Sequence, residues 1–420
     1  MSVQQFGSGP GSFDLMAESY PQGLHNLQIK TTNPDQLLDP ADIRFSIVAA
    51  AVHYALVILE EKGGRAALTE LGRKIGKDLV LKHNPEYQNP GHHPLVRDMT
   101  TLVNYYLVKL RRGFLNLAIQ DFPDDYARYQ HPKFRTPGKD YKYLDSGTFD
   151  PNQYDPKDCG TLYIDDSKLG QPVHICPEED TADLVLSAQP LYQLVQAQES
   201  IEKEFGSESP RAEDSDAQRQ FKTSMLHLSA VIAHELGHAF NVFLGLMHGG
   251  PEIPNTPTDI SFAAFTGTPP DDDDDKKGEA GEALEFLLWG GMFEVGLSHG
   301  WIDWSRLLLN VRVGGARKVR YIPDKLIQDF FDAPEDFSLA EAIRRDTVAE
   351  DESPTSSYKS SSLKESPRES SPAVKDNKVS STTVTTPGMQ AGTKVSINDV
   401  EAINAFVKDP RQCIPVMLEH

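Results

Sequence analysis

The stretch Val231-Ile-Ala-His-Glu-Leu-Gly-His-Ala-Phe240 carries His234, Glu235 and His238 in the order H-E-x-x-H. On a helix, side chains four apart stand on one face. The imidazoles of His234 and His238 can therefore reach one metal ion, with Glu235 beside them to address a water bound there. Zn²⁺ favours nitrogen donors at about 2.0–2.1 Å in a tetrahedral set, and a catalytic site keeps one position for water. The flanks are apolar, with Leu226, Leu228, Val231, Ile232 and Ala233 before the motif and Ala239, Phe240, Val242 and Phe243 after it. This pattern predicts a largely buried helix from about Ala217 to Leu246. Two histidines and a glutamate on such a helix are costly without partners, which weighs against two merely packed core histidines. His227, seven residues before His234, is expected to be packed rather than to ligate.

Two imidazoles make an incomplete zinc site. The longer pattern H-E-x-x-H-x-x-G-x-x-H fails, because Asn241 stands at its glycine and Leu244 at its third histidine. His248 ends the helical pattern and could ligate only if the chain folded sharply back. The better candidates are Glu279, Glu282 and Glu285 on a second predicted helix, Gly278 to Trp289. Glu279 and Glu282 share a face, as do Glu282 and Glu285. Gly278, Ala280, Gly281 and Ala283 are small enough to let two helices approach until a carboxylate meets the histidines. Glu279 is the favoured metal ligand and Glu282 the next, with Glu285 and His248 as alternatives. A neighbouring carboxylate can orient a ligating histidine from behind.

The 420 residues suffice for two domains or one large one. Hydrophobic residues make up 39%, somewhat low for a chain folded throughout. The net charge of −21 argues against non-specific binding to nucleic acid or an anionic membrane. The N-terminal stretch lacks the basic and apolar regions of a signal peptide. No apolar run looks long enough to span a bilayer, and the nearest, Phe45 to Leu59, contains His53. Three cysteines, Cys159, Cys176 and Cys413, do not make a disulfide framework and are read as structural. An intracellular, reducing, cytoplasmic setting is expected.

Residues 1–40 read as an irregular arm. Residues 41–158 read as a helical subdomain and loop, with helices from Ala41 to a stop at Gly63-Gly64, from about Ala66 to Leu81, and from about Leu95 to Asp121. Two short strands, Thr161–Ile164 and Pro172–Cys176, suggest a hairpin at the start of a unit covering 159–345. A further helix is expected over 181–205, and another from Pro323 to Phe331. The run Asp271-Asp-Asp-Asp-Asp-Lys-Lys277 is expected to be a solvated loop, since it lacks the ligand spacing of a calcium site. Residues 346–395 are Ser-rich and read as a disordered linker. Residues 396–420 end the chain, with Ile397, Val400, Ile403 and Phe406 giving a short helix able to dock back.

His234-Glu-Leu-Gly-His238 followed by Gly278-Glu-Ala-Gly-Glu282 resembles the motif pair of zincin metallopeptidases of the gluzincin type, over about residues 160–300. The pairing is also similar, more loosely, to that of some fungal intracellular proteins. The resemblance implies an α+β, predominantly helical fold with a zincin-like core and a short β-hairpin, beside an N-terminal helical subdomain and a disordered C-terminal linker. It implies one Zn²⁺ as cofactor, held by the two histidines and a glutamate, and peptide hydrolysis with Glu235 as general base. His299 and Tyr321 would then be oxyanion stabilisers, and an edge strand, Thr161 to Ile164, would pair with a peptide or protein substrate. The same ligands would serve a metal-dependent enzyme acting on a small amide, or a non-catalytic metal-containing binding protein. Glu235 speaks for catalysis, since a structural metal has no need of a base.

Overall fold

A helix that is apolar all round belongs inside a protein, and the first described helix takes that position. The computed structural model describes residues 23–31, 36–120, 126–129, 184–206, 215–248, 256–257, 260, 278–298, 301–313, 316–334, 336–352 and 394–419. Strands β1 (Leu24–Leu27) and β2 (Ile29–Lys30) precede α1 (Ile43–Glu60). Asp42 caps α1, its side chain accepting the Arg44 N–H at 2.9 Å. Every residue of α1 from Phe45 to Leu59 is buried. At 18 residues α1 is longer than the apolar run Phe45 to Leu59, though shorter than the helix expected from Ala41 to Gly63-Gly64, and by length and apolarity it could cross a bilayer. Here it is packed on several sides by the other helices instead.

The chain turns into α2 (Lys62–His83) through the single residue Glu61, which ends one helix and caps the next. The helix therefore stops at Glu60, and Gly63-Gly64 lie in the first turn of α2. The glycines serve closeness rather than termination: a Cβ on Gly64 would collide with the backbone of Ile58 and Leu59. A short 3₁₀ turn and α3 (Pro94–Arg97) lead to α4 (Met99–Arg112). The third predicted helix thus ends nine residues early. Gly113 closes it, and Leu115 and Leu117 lead into and start a strand, β3 (Leu117–Gln120), alternately buried and exposed at its end.

β3 is central to a four-stranded sheet of order β2-β3-β5-β4, with β4 at Ala127–Tyr129 and β5 at Leu184–Ser187. β4 falls where the sequence suggested only loop. It runs antiparallel to β5 at one edge, while β2, β3 and β5 are parallel. The predicted strands 161–164 and 172–176, and Asp271–Lys277, lie outside the described residues. β5 passes directly into α5 (Ala188–Phe205), capped by Ser187.

α6 (Asp216–His248) is the longest helix described and touches α1, α2, α5, β4 and the elements after it. α7 (Ala280–Trp289) ends at Gly290 with φ 76°, a left-handed residue that suits glycine. An antiparallel sheet follows, β6 (Met292–Ser298), β7 (Trp301–Val313) and β8 (Ala316–Tyr321), where the sequence reading assigned no element. Phe293, Val295, Leu307 and Leu309 form its buried face, and β7 lies against α6.

α8 (Asp324–Asp332) matches the helix expected after Pro323, and α9 (Leu339–Glu352) runs into the start of the tract read as linker. The rest of that tract lies outside the described residues. The C-terminal segment docks back as β9 (Lys394–Ile397), α10 (Val400–Lys408) and β10 (Met417–Glu419). β9 sits between β1 and β10, so the expected arm and tail form one sheet. Asn404 accepts the Tyr54 hydroxyl of α1 at 2.8 Å, and Phe406 meets Phe221 of α6 edge-on. Cys413 is exposed rather than packed, contrary to its reading as structural. The described architecture is α+β and predominantly helical, with one continuous apolar core.

One polar network crosses that core. Arg111 of α4 pairs with Glu60 of α1 at 2.7 Å and donates to His53 Nδ1 at 2.9 Å. Burial and the Arg111 charge hold His53 well below its ordinary pKa, so it is neutral. The guanidinium and Glu60 compensate each other where an isolated charge would be costly.

Candidate metal centre

The site forms where α6 crosses α7, and two glycines set the closeness of that crossing. A Cβ on Gly237 of α6 would meet Ala280 O at 3.1 Å and Gly281 Cα at 3.2 Å. A Cβ on Gly281 of α7 would collide with Cδ2, Nε2 and Cε1 of the His234 ring. The small residues around Glu279 thus have the role that the sequence suggested.

His234 and His238 stand one turn apart with ring centroids 5.3 Å apart. Glu279 is not inside α7 but is its N-cap, with extended backbone at φ −134° and ψ 104°. Its N–H donates to Ile260 O at 2.6 Å, which anchors the approach to the helix. One carboxylate oxygen, Oε2, accepts the Glu282 N–H and so caps the helix. The other, Oε1, lies against His238 Nε2 and 3.8 Å from His234 Nε2. A carboxylate is also favoured at this helix end by the backbone dipole. His234, His238 and Glu279 each offer a ligand atom within 4.8 Å of the other two.

Glu285 stands behind this group. Its Oε1 meets His234 Nδ1 at 2.7 Å, and its Oε2 accepts the Phe293 N–H at the start of β6 at 2.9 Å. A carboxylate on Nδ1 favours the proton there, so that in the neutral ring Nε2 is the nitrogen available to ligate. Glu285 is therefore the residue that orients His234. Glu282 contributes its N–H to the cap, one turn beyond the converging atoms. His248 ends α6 ten residues past His238, about 15 Å along the axis. His299 lies outside the described residues. Tyr321 is 61% exposed on β8 with its ring against Arg306, and no contact joins it to the cluster. His227 is buried against Tyr126, as a packed residue should be.

Glu235 is only 7% exposed and its Oε2 accepts the N–H of Tyr129 on β4. Nothing in the sequence pointed to Tyr129, since a backbone amide leaves no trace in residue type and β4 is only three residues long. Burial raises the Glu235 carboxyl above its ordinary pKa against the pull of the two imidazoles and that amide. For His234, burial disfavours the charged form, but Glu279, Glu285 and Glu235 overcome it and raise the pKa well above the ordinary value. His238 is raised by Glu279 and Glu235 in the same way. Burial opposes ionisation of Glu279, and the two imidazoles hold its carboxyl far below the usual range. The buried carboxylates of Glu235 and Glu285 and the half-buried one of Glu279 surround the two imidazoles, an arrangement complementary to a cation. The donor set of two imidazole nitrogens and a carboxylate oxygen suits Zn²⁺ and other divalent transition metals. Comparison with protein-family models, curated proteins and solved structures gave no match for the chain.

Proposed function

We propose that this chain is a zinc-dependent metallopeptidase of zincin type, with His234, His238 and Glu279 as metal ligands and Glu235 as general base. The observation that carries this reading is the convergence of three ligand atoms from two helices, with Glu235 adjoining the first histidine. A structural metal would need no ionisable group at that position. Zinc held there supplies Lewis acidity, lowering the pKa of a water and polarising the scissile carbonyl.

The chain's own groups do the rest. Glu285 keeps His234 in one tautomer and one orientation. The Tyr129 amide pins one oxygen of Glu235, and the other takes a proton from the attacking water. As the C–N bond breaks, Glu235 passes that proton to the departing amine. The raised pKa of Glu235 brings its proton affinity closer to what such a shuttle needs. β4 is an edge strand touching α6 beside Glu235, which favours an extended peptide over a small amide as the substrate.

The test is incubation of zinc-loaded protein with a diverse peptide library, read by mass spectrometry. Wild type is expected to generate cleavage products, and Glu235→Gln to retain the metal but lose at least about a hundredfold in rate. Products formed equally fast by Glu235→Gln would exclude this base.

A further inference from the structure

The sheet β6-β7-β8 carries a feature that the metal centre does not use. From Ser305 to Ile322 the chain has Arg306, Arg312, Arg317, Lys318 and Arg320 and no acidic residue, in a protein of net charge −21. Within this span Val319 is 47% and Tyr321 61% exposed, two of the few large apolar side chains left in solvent among the described residues. They stand two apart on β8 and therefore on one face. The Arg306 guanidinium lies 5.7 Å from the Tyr321 ring centroid on that face.

The backbone register says which polar groups β8 turns outward. Ile322 N–H donates to Leu307 O at 2.9 Å. In an antiparallel pair, bonded and non-bonded positions alternate, so Arg320 and Lys318 also face β7. The N–H and C=O groups of Tyr321, Val319 and Arg317 then point away from it. β8 is the last strand in its sheet, and no other described strand pairs with that edge. Charge alone could guard an edge against self-pairing. Exposed Val319 and Tyr321 beside the outward backbone groups add apolar area, which a guard would not.

We infer that the outer edge of β8 docks an extended acidic segment of a partner protein, which adds as a fourth strand. Its backbone pairs with Val319 and Tyr321, its carboxylates meet the basic side chains, and its alternate apolar residues cover the exposed pair. The excess of basic over acidic residues along this hairpin, in an acidic protein, favours an acidic partner over a basic one.

The probe is a fluorescein-labelled peptide of about twelve residues alternating glutamate with valine, titrated with the full chain and read by anisotropy. Saturable binding is expected at low salt, weakening roughly tenfold from about 0.05 to about 0.5 M NaCl. A lysine–valine peptide and a glutamate–proline peptide should not bind. Val319→Pro removes an outward N–H without breaking a β7–β8 bond, and should weaken binding roughly tenfold. Should that variant lose its circular dichroism, the exposed pair Arg306→Glu with Lys318→Glu serves in its place, with the same expected loss. Four results would each overturn the inference. These are no saturable binding by wild type, equal binding by the charge-reversed variant or of the proline peptide, and sedimentation showing that the edge pairs with a second copy instead.

Discussion

Gly281→Ala pits two effects of opposite sign against each other at the heart of the site. Inside a helix, alanine is favoured over glycine by about 1 kcal/mol. Gly281 is not in the left-handed region, so the backbone alone would welcome the change. The new Cβ, however, would overlap three atoms of the His234 ring. The ring has little freedom to yield, because its Nδ1 is bonded to Glu285 at 2.7 Å. Separating the helices instead would open the contact at Gly237, where backbone already meets backbone closely. Overpacking of this kind costs about 1–3 kcal/mol, and breaking a hydrogen bond to a charged group about 1.5–3 kcal/mol. Together they outweigh the helical gain, for a net loss of about 1.5–5 kcal/mol. A displaced His234 should also weaken metal binding roughly 10–100-fold. Urea unfolding of the metal-free protein measures the first effect, and zinc competition against a chromophoric chelator the second. A Gly281→Ala protein that is more stable than wild type and binds zinc equally well would refute the close packing of α7 on His234.

Glu285→Gln keeps the shape of the side chain but removes the charge behind His234, and should lower zinc affinity roughly tenfold or more in the same chelator assay; unchanged affinity would remove Glu285 from the site. Arg111→Met strands Glu60 in the core, and urea unfolding should report a loss of about 3–5 kcal/mol; a loss near zero would show that Glu60 reaches water. Burial holds His227 at a pKa of about 4, below the ordinary 6.5. The unfolded chain then binds the extra proton between these values. Its contribution is present above about pH 6.5, declines as pH falls, and by about pH 4 the loss approaches 3 kcal/mol. His227→Leu should flatten that limb in urea titrations, and an unchanged profile would contradict it. Glu61 acts in the opposite direction: burial lifts its carboxyl to about 7, so its contribution is lost as pH rises from about 4.5 through 7. Glu61→Gln should remove that decline in the same titrations.

The site was legible in the sequence where side-chain type and helical spacing determine geometry. His234, Glu235 and His238 follow from one turn of helix, and the small residues around Glu279 announced a close crossing. The division of labour among the three glutamates did not follow from spacing. It depends on Glu279 being a cap rather than a helical residue, with one oxygen turned to the Glu282 N–H and the other to the histidines. Sheets were the least legible part. β4 is three residues long and earns its place through a backbone amide, while β7 and β8 flank Gly314-Gly315, a hairpin signal that the sequence reading passed over. Gly63-Gly64 looked like a stop, yet Glu61 makes the corner and the glycines only let it close. The pairing of β1 with β9 joins segments about 370 residues apart and has no local signature.

The most direct measurement is elemental analysis of the purified chain after dialysis, paired with X-ray absorption at the metal edge. About one zinc per chain is predicted for wild type and Glu235→Gln, with two imidazoles and a carboxylate at about 2.0–2.1 Å. His238→Ala and Glu279→Gln should lose the metal. Wild-type protein that holds no divalent metal when supplied with zinc, or a Glu279→Gln variant that holds it as tightly, would contradict the account.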